Sequence, residues 1–215
     1  MTAPGSHYFD EEPTAESAPR EVTLWLPDGS FVLMTDRGVF GYDRIDQGSK
    51  LLLLKAPPPS PTGNLLDLGC GNGPLALTMA RRSPTATVWA VDVNERARNL
   101  CRANAERNGL ANVTVCAPEE VPADIRFATV WSNPAIRIGK AALHSMLLRW
   151  LSRLTEATEV GAQDAGEGAG EAILVVHKHL GSDSLQDWLI EQGYPTSRLA
   201  SSAGYRILRS TALTR

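Results

Sequence analysis

The sequence predicts a doubly wound α/β fold: a mostly parallel sheet with helices on both faces, ending in an antiparallel hairpin and preceded by a small N-terminal β-hairpin. Three observations lead there. From residue 64 onward, short apolar runs alternate with amphipathic helical stretches, the pattern of a parallel sheet covered on both sides. The first run, Asn64–Leu68, feeds directly into Gly69-Cys70-Gly71-Asn72-Gly73, with Pro74 where a helix would begin. The chain has 215 residues, of which 43% are hydrophobic and 21% charged, enough for one such domain with a sizeable core.

Residues 1–20 read as a disordered acidic leader, rich in Pro, Ser and Ala. Asp10, Glu11, Glu12 and Glu16 against Arg20 account for the whole formal charge of -3. The remainder is near neutral, which excludes a protein that holds nucleic acid by bulk charge and leaves room for a local basic face. An acidic, proline-containing start is the wrong chemistry for a signal peptide. No apolar run approaches the ~20 residues needed to cross a bilayer, so the expected location is cytoplasmic, with no membrane partner. Cys70, Cys101 and Cys116 lack metal or disulfide spacing and read as small buried thiols, so no metal is expected.

Val22, Leu24 and Leu26, then Phe31 and Leu33, alternate around Pro27-Asp28-Gly29. This predicts a β-hairpin over 21–35 with its turn at Asp28-Gly29. Residues 36–50, with three glycines, read as a loop or broken helix, and Leu51–Leu54 as a short apolar run. Pro57-Pro58-Pro59-Ser60-Pro61 forms a stiff spacer.

The alternation then runs as follows. Strand Asn64–Leu68 leads to a helix over Pro74–Arg82, whose first residue lacks only an N–H that would be unpaired there anyway. Strand Thr87–Val91 ends at Asp92. A helix over 94–108 puts Ala97, Leu100, Cys101 and Ala105 on one face and stops at Gly109. Asn112–Cys116 and Phe127–Trp131 are further strands, the second running into Ser132-Asn133-Pro134. A helix over about 140–154 has the core stripe Leu143, Met146, Leu147, Trp150, Leu151 and Leu154. Residues 157–170, rich in Gly, Ala and acids, read as a mobile loop. Ala172–His177 is a buried strand, a helix runs from Ser182 to Gly193, and 196–201 pairs with 204–211 around Ala203-Gly204.

The glycine turn is the strongest chemical signal. Its backbone amides and the following helix N-terminus suit a nucleotide-derived ligand. Gly69, Gly71 and Gly73 fall at alternate positions, whereas a dinucleotide fingerprint wants its third small residue where Pro74 stands. That disfavours a nicotinamide-dependent oxidoreductase. Asp92, at the end of the next strand, either accepts ribose hydroxyls or caps the following helix.

The run Leu66-Asp67-Leu68-Gly69-Cys70-Gly71-Asn72-Gly73 resembles motif I of class I S-adenosylmethionine-dependent methyltransferases. Ser132-Asn133-Pro134-Ala135-Ile136-Arg137-Ile138-Gly139-Lys140 resembles their Asn-Pro-Pro-aromatic motif. Further pieces are Gly38-Val39-Phe40, Asp46-Gln47-Gly48-Ser49-Lys50-Leu51-Leu52, Ile173–His177 with Lys178-His179-Leu180, and Gly204-Tyr205-Arg206-Ile207-Leu208. With these, residues 36–210 are similar to the bacterial 16S ribosomal RNA guanine-N2-methyltransferase family.

The resemblance implies a Rossmann-like methyltransferase sheet over 62–215, with 21–56 as an N-terminal hairpin and cofactor-covering segment. It implies that Asp67, Gly69, Gly71, Gly73, Asp92 and Glu119 hold S-adenosyl-L-methionine, Glu119 or Glu120 being alternatively just solvated. Asn133 and Pro134 would present acceptors to a guanine amine. Ile136, Arg137, Lys140 and Phe40 would touch the substrate, ribosomal RNA or a ribosomal subunit. Arg137, Lys140, Arg149 and Arg153 form the candidate phosphate-contacting group, or else a solvated basic face. His177, Lys178 and His179 read as strand-end residues at the pocket rim or exposed, not as a metal site.

The chain departs from the family pattern at Ala135 and Ile136. An aromatic residue there would stack on the target base, worth roughly 1–3 kcal/mol. Either Phe40, Tyr42 or Arg137 replaces that contact or catalysis is weaker. Methylation of another amine, in tRNA, protein or a small molecule, is the alternative. A catalytically weak, cofactor-binding RNA-binding protein is the second.

Overall fold

The computed structural model describes residues 15–135, 138–156 and 169–212. Nine strands and five helices are named here in chain order: β1 (Arg20–Leu26), β2 (Gly29–Thr35), α1 (Gln47–Lys55), β3 (Asn64–Leu68), α2 (Pro74–Arg82), β4 (Thr87–Val91), α3 (Glu95–Arg107) and β5 (Val113–Cys116). They continue as β6 (Thr129–Ser132), α4 (Lys140–Leu151), β7 (Glu171–His177), α5 (Ser182–Glu191), β8 (Thr196–Ser202) and β9 (Tyr205–Thr211).

Seven strands form one sheet in the order β5-β4-β3-β6-β7-β9-β8. The pairs from β5 to β7 are parallel, while β9 runs antiparallel to both β7 and β8. This is the doubly wound α/β class expected from the alternation. Strand order reverses beside β3, where the chain first moves out through β4 to β5 and then returns to place β6 on β3's other side. The crevice at such a reversal, outside the carboxyl ends of the strands, is where open α/β sheets bind ligands.

The pleat of β3 divides the core. Leu65 faces a cluster with α1, α2, α3 and the β1–β2 hairpin, whereas Leu66 and Leu68 face one built from α4 and α5. Each fully buried leucine contributes about 1.5–3 kcal/mol of burial. The hairpin lies outside the main sheet and packs Leu24, Phe31 and Leu33 into the first cluster. Arg81 on α2 stacks its guanidinium 3.4 Å above the Phe31 ring. Among the described residues no helix is long and apolar enough to cross a membrane. The three cysteines are free and buried.

Several boundaries differ from expectation. The hairpin turn is Pro27-Asp28, because Gly29 already pairs with Leu26. Residues 47–55 form one continuous helix instead of a loop and a separate apolar run. Its N-cap is Asp46, whose side chain accepts from Ser49 N at 2.9 Å, and a good cap outweighs the poor helix propensity of Gly48. Phe127 precedes β6 and forms an isolated bridge to Leu154. That bridge draws Leu154 out of α4, which ends at Leu151. The helix α3 stops as expected: Gly109 adopts φ 68° and Leu110 N reaches back to Ala105 O at 3.0 Å. The leader expected over 1–20 falls largely, and the loop over 157–170 mostly, outside the described residues.

Candidate functional site

The cleft begins where β3 ends. Gly69 N and Cys70 N both donate to Val91 O, at 2.8 and 3.0 Å, which folds the glycine turn over the end of β4. Gly69 takes φ 79°, and a Cβ placed there would meet nothing within 4 Å. The space beside it is the cleft itself. Gly71 N donates to Asp92 Oδ2 at 2.9 Å, and Asn94 N to Asp92 Oδ1 at the same distance. Asp92 thus braces the glycine turn and the start of α3 together. Its burial pushes the carboxyl above the usual range, despite these two amides.

Asp67 lies behind this wall. It is fully buried, its Oδ2 accepts from Ala76 N at 2.8 Å, and its Oδ1 has no partner among the described residues. Burial above all, with the nearby Asp92 adding to it, raises the carboxyl pKa to about 8. Its visible work is to fasten the first turn of α2. Gly73 faces inward as well: at φ 97° its Cβ would meet Cys101 Sγ and Leu77 Cδ1, both at 2.8 Å.

The cleft has a volume of about 720 Å³. Gly69, Gly71, Asp92 and Val93 line it after β3 and β4, and Asp46, Asn133, Pro134, His177 and Tyr205 line it from α1, β6, β7 and β9. Along one side run Met146, Arg149 and Trp150 of α4. Arg149 donates to Pro118 O at 2.8 Å, joining α4 to the loop after β5.

Next to the glycine turn, Ser132 Oγ donates to Leu68 O at 2.7 Å, holding β6 beside β3. Asn133 Nδ2 then donates to Asp46 Oδ2 at 2.8 Å and to Ser49 Oγ at 3.0 Å. A carboxylate only accepts, so the amide nitrogen must face Asp46. Asn133 Oδ1 receives no hydrogen bond from any described residue. His177, at the end of β7, meets the Tyr205 ring edge-on with centroids 4.8 Å apart. Burial pushes the Tyr205 phenol upward, and the charge of Asp46 adds to the shift.

Of the residues singled out from sequence, Gly69, Gly71, Asp92, Phe40, Asn133 and Pro134 line this one cleft. Asp67 and Gly73 support it from behind without lining it. Glu119 is exposed and outside the lining, where its neighbour Pro118 stands instead, and Glu120 folds back to accept from Ala117 N. Lys140 is exposed at the start of α4, also outside. Arg153 turns to the carbonyls of Ile125 and Pro122, leaving Arg149 as the one member of the described basic group on the cleft. Tyr42 lies under the guanidinium of Arg20 and is not in the lining. Ile136 and Arg137 lie outside the described residues.

Sequence reasoning missed Asp46, Tyr205, Met146 and Trp150 as cleft residues. Asp46 was findable, since an acid three residues before Ser49 at the head of an apolar run is a helix-start signature. Tyr205 had no local signal, because only the pairing of β9 with β7 brings it beside His177. Helical periodicity assigns Met146 and Trp150 to the core stripe, which is half true: Trp150 is buried and still borders the cleft.

Comparison with known proteins yields consistent matches. A model of the methyltransferase small domain family matches residues 30–209. The uncharacterized protein YbxB of Bacillus subtilis (strain 168) is 31% identical over 207 residues, covering 95% of this chain and 97% of that protein. The ribosomal RNA small subunit methyltransferase C of Pseudomonas aeruginosa (strain LESB58) is 32% identical over 199 residues, covering 91% of this chain and 55% of that protein. The chain thus spans about half the length of the named methyltransferases it matches. The T. thermophilus 16S rRNA N2 methyltransferase, solved in complex with AdoMet and guanosine, superposes with a TM-score of 0.72 at 22% identity. That match covers 93% of this chain and 52% of the other, and is a likeness of fold.

Proposed function

Because the chain belongs to the methyltransferase small domain family, we propose that it uses S-adenosylmethionine to methylate the exocyclic N2 amine of a guanine in ribosomal RNA. The observation that carries the reading is Asn133: its amide is fixed by Asp46 and Ser49 so that the oxygen is left unused at the cleft. The glycine turn fits the cofactor, since the space beyond Gly69 is open and Asp92 lines the same cleft. S-adenosylmethionine supplies a methyl group on a sulfonium, ready for in-line displacement.

The chain's own residues have a limited task. Gly69 and Gly71 give close backbone approach, and Asp92 keeps lone pairs for ribose hydroxyls beyond those engaged with Gly71 and Asn94. A guanine amine is a weak nucleophile because its lone pair is delocalised into the ring. Asn133 Oδ1 and the Pro134 carbonyl accept its two N–H groups, which directs the lone pair at the methyl carbon and stabilises the positive charge that develops on nitrogen. The methylated amine is then acidic enough to lose its proton to water. The base has to leave its stack to enter a cleft of this kind. Phe40, Trp150, His177 and Tyr205 are the cleft-lining rings among the described residues, and contact with the base falls to them in place of the aromatic missing after Ala135.

Support from outside the chain is the naming of its relatives as small-subunit ribosomal RNA methyltransferases. The test is transfer of labelled methyl from S-adenosylmethionine to stripped small ribosomal subunits, with bulk tRNA in parallel, followed by nucleoside digestion. Label in N2-methylguanosine of the small-subunit RNA is expected. Label confined to tRNA or protein overturns the substrate, and binding of NAD but not S-adenosylmethionine in calorimetry overturns the cofactor.

A further inference from the structure

We infer that Asp46 reads the ring N1–H of the acceptor base and so selects guanine over every other amine-bearing base. The inference rests on the assignment of Asn133 as the amine-holding residue and goes beyond it. Asp46 lines the cleft beside Asn133. Its Oδ2 is fully engaged, accepting from Ser49 N at 2.9 Å and from Asn133 Nδ2 at 2.8 Å. Its Oδ1 receives no hydrogen bond from any described residue.

Two acceptors without a hydrogen bond from any described residue thus belong to cleft side chains joined by one hydrogen bond: the amide oxygen of Asn133 and the second carboxylate oxygen of Asp46. Guanine presents the complementary edge, an exocyclic N2–H next to a ring N1–H. Adenine and cytosine also carry an amine, but the ring nitrogen beside it is an acceptor. Against a carboxylate it would set lone pair against lone pair, and the buried polar atom would go unpaired. Capping α1 needs only Oδ2, so the cap alone does not account for a carboxylate whose other oxygen has no hydrogen-bond partner among the described residues.

Two nucleosides separate the readings. Guanosine and 2-aminopurine riboside both carry the 2-amine, but the second has an unprotonated ring N1. Each is titrated into the full chain in the presence of S-adenosylhomocysteine, by calorimetry and by quenching of 2-aminopurine fluorescence. Wild type is expected to bind guanosine at least about tenfold more tightly, the usual size of one well-formed base contact. Asp46→Asn still caps a helix, as asparagine does. Its amide oxygen keeps Ser49 and Asn133, so its NH₂ faces the base where an acceptor stood. The guanosine preference is then lost or reversed, whereas a purely structural role for Asp46 lowers both affinities together.

An unchanged preference in Asp46→Asn overturns the inference and leaves the Asn133 assignment standing. Equal binding of the two nucleosides by wild type overturns it without recourse to the variant, should the variant fail to fold. If wild type binds S-adenosylhomocysteine but neither nucleoside, the guanine reading itself falls and this inference with it.

Discussion

Asn104 grips Met34 by both backbone groups. Its Oδ1 accepts from Met34 N at 2.7 Å and its Nδ2 donates to Met34 O at 2.9 Å. The same Nδ2 donates to Asn72 O at 2.8 Å, inside the glycine turn, and Asn72 Nδ2 returns a bond to Met34 O at 3.2 Å. One fully buried amide on α3 thus ties the N-terminal hairpin to the turn that shapes the cleft. Asn104→Ala leaves several buried backbone groups unpaired, and urea unfolding should show a loss of about 2–4 kcal/mol. A loss under about 0.5 kcal/mol, the usual surface value, would mean that the hairpin is not held this way.

Asn133→Ala removes the acceptor but not the glycine turn. Turnover with small-subunit RNA should fall about 10²–10³-fold, the size seen when one preorganised hydrogen-bonding group is removed. The calorimetric Kd for S-adenosylmethionine should stay within about twofold, since the Asn133 amide bonds to Asp46 and Ser49 and supports neither the glycine turn nor Asp92. Full residual turnover would refute the assigned role.

Two alanine substitutions in the same turn should have opposite signatures. Gly69→Ala strains a backbone at φ 79° but enters open space, so the fold loses about 1 kcal/mol while cofactor binding weakens strongly. Gly73→Ala drives a methyl into Cys101 and Leu77, costing about 1–3 kcal/mol from overpacking plus the strain of φ 97°. The folded fraction of Gly73→Ala should keep near-normal affinity. Paired thermal melts and calorimetry distinguish the two.

Asp67 makes stability fall with rising pH. Its carboxyl has a pKa of about 8 in the folded chain against 3.8 as the ordinary value. The unfolded chain therefore releases this proton first, and stability is full below about pH 4 for this group and is progressively lost up to about pH 8. Asp92, also raised, acts in the same direction. Asp67→Asn can still accept from Ala76 N and cannot ionise. The drop in Tm between pH 6 and pH 9 should be smaller in the variant than in wild type. An equal drop would show that Asp67 does not titrate in that range.

What was legible in the sequence was local. The strands β3 and β4, the helix α2 and the glycine turn between them follow from apolar runs, glycine and proline within a few residues of one another. Asn133-Pro134 stood out for the same reason. The cleft's other components come from distant parts of the chain. Tyr205 enters through an antiparallel strand whose partner is fixed only by the sheet order. Asp67 and Gly73 lie on the motif yet face away from the cleft, because Asp67 is drawn to Ala76 N in the first turn of α2 and Gly73 packs against Cys101 and Leu77. The motif marks where a ligand approaches, not which of its side chains the ligand meets. Glu119 and Pro118 show the same limit at one residue's distance.

Two hydrogen bonds of very different span hold the cleft together. The bond from Gly71 to Asp92 closes over 21 positions, whereas that from Asn133 to Asp46 closes over 87. Bringing distant positions together is the slower and entropically costlier event. A refolding chain is therefore expected to regain its grip on S-adenosylmethionine before α1 docks and orients Asn133. In stopped-flow refolding, cofactor binding should recover in an earlier phase than guanosine binding. Until that second closure, the protein would be a loaded donor with no means of choosing a recipient.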